Sequence, residues 1–289
     1  MLTIALAAAA LLSAPLAEAW AAPALWVARS PTAKVYLFGT MHLLEPSTAW
    51  RTPKLDAAYK EAGVVWFETD VAAVSDRKVA ADLLNRYGYD VDHPLTTKLD
   101  AEHASALKAV AAHYRLSMPV VERLKPWAAA MMLIALPMME DGLDPASGAD
   151  IQLSGSAASD RKTVRAFETV DEQVHFFADM TPDAEVEFLD STIDENLRTS
   201  RGDVGLEAVW ASGDIEKLGP AITGEMKAQY PELYETLILR RNQAWADVLA
   251  KEMQGQGVEL VNVGALHMVG DEGLPALLKA RGFTVERLQ

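Results

Sequence analysis

Cysteine is missing from all 289 residues. That absence removes thiolate nucleophiles, disulfides, zinc–thiolate sites, iron–sulfur clusters and a lipoprotein anchor together. Basic residues are few: 26 Lys and Arg stand against 41 Asp and Glu, a formal net charge of -15. A phosphodiester backbone or an anionic membrane surface is repelled on average, so no nucleic-acid partner is expected. The chain also has no H-E-x-x-H, no G-x-S-x-G, no G-x-x-x-x-G-K and no G-x-G-x-x-G, which leaves out the zincin helix, the nucleophile elbow, the P-loop and the dinucleotide fingerprint. No internal repeat marks a solenoid.

Long apolar runs are scarce too. The first, Leu2 to Leu12, is too short for a membrane span, and no stable membrane anchor is expected. It is followed by Pro15 and by Ala17-Glu18-Ala19, a small-x-small pattern of the kind signal peptidase accepts. We therefore read residues 1–19 as a secretory signal, although no Lys or Arg precedes the run, and residues 20–289 as one α/β domain in a periplasmic or secreted protein. The alternative is that this run forms an apolar first helix of the mature fold.

What is present reads as strands alternating with helices. "ALWVARS" and "KVYLFGT", separated by Pro31-Thr32, predict an antiparallel hairpin. "TPKLDAAYKEAG" has helical spacing and leads into "VVWFETD", so the strands of "VYLFGTMH" and "VVWFE" are expected to run parallel around a crossover helix. Residues 72–139 form a large helical insertion, and "EDGLDPASGAD" then marks a loop. "KTVRAFETVDEQVHFF" predicts a third core strand ending on Glu168 with a helix directly after it. Helices fill most of 182–253, with "ASGDIEKLG" as a turn between two of them. The chain closes with strand, histidine loop, a helix from about Gly273 to Ala280, and a last strand. The expected class is α/β: a central, mostly parallel sheet flanked by helices, with the site at the C-terminal ends of its strands.

Four of these strands end on a residue able to do chemistry: His42, Glu68, Glu168 and His267. In open α/β sheets the C-terminal strand ends form the ligand crevice, so parallel strands would bring the four to one edge. Two imidazoles with one or two carboxylates make a first shell for a divalent ion that keeps positions open for water and substrate. A remaining carboxylate would serve as base. Each half of the pattern is weak alone, since a Gly-x-x-His or a strand-end Glu is often only local structure. In "RRNQAW", Arg241 and Asn242 can face the site from a helix and hold a carbonyl. "KPWAAAMMLIALPMM" reads as a core helix, with an apolar groove as the alternative, and "SGSAAS" around Ser154 as a polar loop or helix cap. His93, His103, His113 and His175 are assigned to the surface or to local hydrogen bonding.

Taken in order, "YLFGTMH", "VVWFETD", "KPWAAA", "GADIQL", "FETVDEQ", "RRNQAWA" and "VNVGALHMVGDEGLPALLKARGFTV" resemble the TraB/GumN family, which includes the Tiki proteins. The resemblance runs from about Leu25 to Leu288. It implies one α/β domain related to haem-binding ChaN proteins and erythromycin esterases, and a metal-dependent, peptidase-like hydrolase preferring manganese or cobalt over zinc. By position it makes His42, Glu68 and His267 the metal ligands. Arg241 and Asn242 match the family's Arg-Asn, for substrate polarisation, and Glu168 is left as base or fourth ligand. Leu266 stands where the family often has Gly, and Phe167 where Leu is common. Two alternatives remain: a haem- or ligand-binding protein without turnover, and a metal-independent esterase using a histidine base.

Overall fold

β1 (Leu25–Arg29) and β2 (Ala33–Thr40) fold back on each other as the predicted hairpin. Pro31 interrupts the run, and the Ser30 hydroxyl accepts from the Ala33 N–H at 3.0 Å to close the turn. The computed structural model describes residues 22–198 and 205–289; the secretory signal expected over 1–19 lies outside the described residues. β3 (Val64–Phe67), β4 (Thr163–Ala166), β5 (Gly257–Gly264) and β6 (Thr284–Arg287) complete one sheet in the order β4-β3-β5-β2-β1-β6. Only β1 runs against the others.

β2 and β3 are parallel as expected, but β5, from the far end of the chain, lies between them, with Thr40 opposite Gly264 and Phe67 opposite Asn262. The helix Pro53–Glu61, capped by Thr52, crosses between β2 and β3. Side chains alternate across the sheet. Leu25, Phe38, Phe67 and Leu260 face one apolar cluster, while Leu37, Trp66, Val261 and Val263 face another, against Trp245, Leu249 and Leu278. The helical insertion builds a third cluster from Leu107, Trp127, Leu133, Leu189 and Ile193.

Three expectations need correcting. β4 is not a core strand: among the described residues it is an edge strand of the sheet, and all four of its residues are exposed. "SGSAAS" is neither loop nor cap but lies inside the helix Ala149–Ser159, whose first residues are also the last of the predicted loop. In "ASGDIEKLG" only the start is a turn, at Gly213 (φ 71°), and Asp214 caps a short helix, Ile215–Gly219. The "KPWAAAMMLIALPMM" segment is the helix Pro126–Glu140, with residues 127–130 and Leu133 buried in the third cluster.

Candidate functional site

β2, β3 and β5 end side by side, and β4 ends beside β3, so the residues just past each strand gather at one edge of the sheet. Glu68 directly succeeds β3, and its backbone carbonyl accepts from the Glu168 N–H at 2.9 Å, which carries the β3–β4 ladder one step further. The helix Val170–Ala178 then starts at once, through a capping box between Thr169 and Glu172.

The centre of the edge is Arg241, from the helix Arg240–Glu252. Its five N–H groups are all spent. Nε and Nη2 grip the two oxygens of Glu168 at 2.8 and 2.9 Å, Nη2 also reaches Glu68 Oε2 at 2.6 Å, and Nη1 meets the Leu237 carbonyl at 3.0 Å and His267 Nε2 at 3.3 Å. The guanidinium lies between the rings of Phe176 and Trp245. Glu168 is equally saturated, accepting also from Trp245 Nε1 at 3.0 Å and Gln173 Nε2 at 3.2 Å.

His267 sits in the 3-10 turn Ala265–Met268 and is 3% exposed. Asn242 Nδ2 donates to the Glu272 carbonyl at 2.7 Å, so its Oδ1 is the atom facing His267 Nδ1 at 2.6 Å. An amide oxygen can only accept, so Nδ1 carries the proton and Nε2 presents its lone pair. Burial is the main cause that lowers the His267 pKa, to about 3, with Glu68 opposing and Arg241 and His42 adding; the ring is neutral at physiological pH. Glu68 is penalised by burial, but Arg241, His42 and the Gly264 N–H at 2.6 Å hold its pKa below the ordinary carboxylate range.

His42 lies on the loop after β2, tied down where the Ala149 N–H donates to the Met41 carbonyl at 2.9 Å. Its Nδ1 meets Asp150 Oδ2 at 3.0 Å. Desolvation in the cleft works against its charge, and Asp150 and then Glu68 overcome that, so its pKa is pushed up to about 9. The fourth participant is an absence: a Cβ placed on Gly264 would stand 3.1 Å from Glu68 Oε1, 3.6 Å from His267 Cδ2 and 3.8 Å from His42 Nε2. The glycine keeps clear a space that all three side chains border.

A model of the TraB/PrgY/gumN family matches residues 24–287. The chain belongs to the TraB/PrgY/gumN family. Two curated relatives, each described as "Uncharacterized protein YbaP", come from Escherichia coli (strain K12) and Shigella flexneri. Each is 25% identical over 244 residues, 84% of this chain and 87% of the relative. No solved structure matches the chain.

In this TraB/PrgY/gumN chain the fit to a divalent ion is testable on geometry. His267 Nε2 and Glu68 Oε1 are 3.7 Å apart, a separation that two ligands about 2.0–2.2 Å from one ion can span. Both histidines have Nδ1 held by an oxygen, from Asp150 and from Asn242, the orienting contact typical of metal-bound imidazoles. Among the described residues no three His, Asp or Glu already close on one point; His42, whose side chain is 58% exposed, is the candidate with room to move inwards. The donor types fit such an ion, but holding it requires His42 to shift inwards and give up its proton and the Arg241 Nη1 contact with His267 Nε2 to open. His93, His113 and His175 instead face Asp90, Glu140 and Asp179 at 3.0–3.1 Å, each in its own locality.

Reading the sequence missed Asp150, Gln173 and Trp245 as members of the site. Asp150 stands just inside the helix that the polar loop hides, which left no strand-end pattern to mark it. Gln173 and Trp245 lie one helical turn beyond Glu168 and Arg241, on segments already singled out, and their donors are the signal that went unused.

Proposed function

We propose that this chain is a metal-dependent hydrolase of amide bonds in peptide-like substrates, with His42, Glu68 and His267 holding the ion. The observation that supports this reading is the pair of histidines whose Nδ1 atoms are taken: His42 Nε2 and Glu68 Oε1 border the space above Gly264, and His267 Nε2 lies 3.7 Å from that same Glu68 oxygen. A divalent ion held there supplies a water of lowered pKa and polarises a carbonyl. Manganese or cobalt ahead of zinc is the preference that the family resemblance implies.

The protein's own groups supply positioning. Arg241 spends every donor inside the site, so its role is to fix Glu68 and not to grip a carbonyl itself, and its Nη1 contact with His267 Nε2 gives way to the ion when one binds. Glu168 anchors Arg241 with both oxygens. Asn242 selects the tautomer of His267. Export of the protein is part of the proposal and rests on residues 1–19 alone.

The test is metal analysis of purified protein after equilibration with manganese, alongside His42→Ala and His267→Ala, and cleavage of a mixed peptide library with and without a chelator. Uptake near one ion per chain, lost in both variants, with cleavage abolished by the chelator, is the expected result. Uptake unchanged in both variants overturns the ligand assignment, and cleavage that survives the chelator moves the chain to the metal-independent esterase alternative.

A further inference from the structure

Beside the proposed metal ligands, under the ends of β2, β3 and β5, lies a cavity of about 340 Å³. That is within the range of small-ligand sites, roughly 300–1,000 Å³. Phe67, Val71, Val74 and Ile151 form apolar wall, and His42 and Glu68 stand at its border.

The polar groups of the same cavity are unusual. Asn262 projects from β5 in the middle of the sheet and is 1% exposed. Its Nδ2 donates to the Trp66 and Leu260 carbonyls at 3.2 and 3.5 Å, which leaves Oδ1 as an acceptor that no donor among the described residues reaches. Asp150 gives Oδ2 to His42, and its buried Oδ1 likewise has no protein donor. The hydroxyls of Thr40 and Thr69, in residues 2% and 6% exposed, are the other two. A buried polar atom left without a partner costs about 1–3 kcal/mol, and four of them in residues lining one cavity is a concentration that calls for a ligand.

Their chemistry narrows the ligand. An amide oxygen and a carboxylate oxygen can only accept, while the hydroxyls can do either, so the ligand must bring N–H or O–H donors. Among the described residues no Lys or Arg lines the cavity; its one cation, His42, is paired with Asp150, and Glu68 adds a second carboxylate, so the lining is net negative and an anionic group is disfavoured. We infer that this cavity binds an uncharged aliphatic residue of a peptide-like ligand, with amide N–H groups of that ligand directed to Asn262 and Asp150. The inference rests on the hydrolase reading only in naming the bound residue as part of a substrate.

The test uses the purified chain and two probes with the same side chain: N-acetyl-L-leucinamide, which is neutral, and N-acetyl-L-leucine, which is anionic at neutral pH. Ligand-observed NMR titration is expected to give saturable binding of the amide, and binding at least tenfold weaker for the acid. Val74→Trp, at a wall position 45% exposed, is expected to weaken amide binding at least tenfold by filling the cavity. Asn262→Leu is expected to do the same by removing the acceptor; if it does not fold, Val74→Trp decides. Equal affinity for the two probes, or wild-type amide affinity in Val74→Trp, overturns the inference. Manganese uptake measured on the same wild-type sample separates the two claims: amide binding without metal retains the cavity and refutes the metal site, and metal without amide binding does the reverse.

Discussion

Replacing Arg241 with Met should unlock the whole strand-end edge. The guanidinium is 10% exposed, and its two carboxylate partners, Glu68 and Glu168, are 15% and 10% exposed. Removing one member of a buried ion pair costs about 3–5 kcal/mol, chiefly because the other charge stays behind without its partner. Here two carboxylates are left behind in the same pocket. Glu68 keeps the Gly264 N–H and Gln173, and Glu168 keeps Trp245 and Gln173, so we expect about 4 kcal/mol and not the sum for two pairs. Arg241→Lys keeps the charge but has three donors and no planar fork. It cannot hold Glu168 bidentately and reach both Glu68 and His267, and about half of the loss, ~2 kcal/mol, should remain. Guanidinium unfolding in the presence of chelator, followed by tryptophan fluorescence, measures both without a contribution from bound metal. A loss under about 1 kcal/mol for Arg241→Met would refute the picture of a buried hub, as would Lys and Met costing the same.

Three further outcomes rest on single contacts. Gly264→Ala brings a Cβ to 3.1 Å from Glu68 Oε1 and should lower manganese uptake more than tenfold while circular dichroism stays that of the wild type; unchanged uptake would show that the space above Gly264 is not the metal site. Asn242→Leu strips the partner from His267 Nδ1 and from the Glu272 carbonyl, with an expected loss of about 1–3 kcal/mol and a metal affinity reduced by about 10–100-fold. In the helical insertion, burial lowers the His103 pKa, but Asp100, Asp190 and Asp194 more than compensate and the net shift is upward. A raised folded-state pKa adds stability that is fully present below the ordinary value of 6.5 and is lost as pH rises through the folded value. His103→Gln should therefore cost more at pH 5.5 than at pH 8.5, and an equal cost at both would exclude the histidine–carboxylate contact between the helices.

Much of this site can be read from strand ends, because an apolar run that stops on Glu or His is a local pattern. The contacts that organise the site are not local: Arg241 and Glu168 are brought together by a helix that packs from the far side of the chain, and no periodicity announces that pairing. β4 misled for a related reason, since a four-residue strand of mixed polarity reads the same at an edge as in a core. The two Gly-x-x-His segments show how far the likeness of sequence goes. β2 and β5 pair in parallel with Thr40 opposite Gly264, so Gly39 lies opposite Val263 and the two glycines point to opposite faces of the sheet. Gly39 lets the Ala265 backbone approach, a Cβ there standing 2.9 Å from Ala265 Cα, whereas Gly264 clears the space beside Glu68. The one-residue offset also separates the histidines: His267 is buried in a 3-10 turn with its tautomer set by Asn242, and His42 lies on an exposed loop braced by Asp150. The same four-letter motif thus places one fixed imidazole and one movable one at a shared edge, and the proposed ion can be held between them only if His42 moves inwards and Arg241 Nη1 gives up its contact with His267 Nε2.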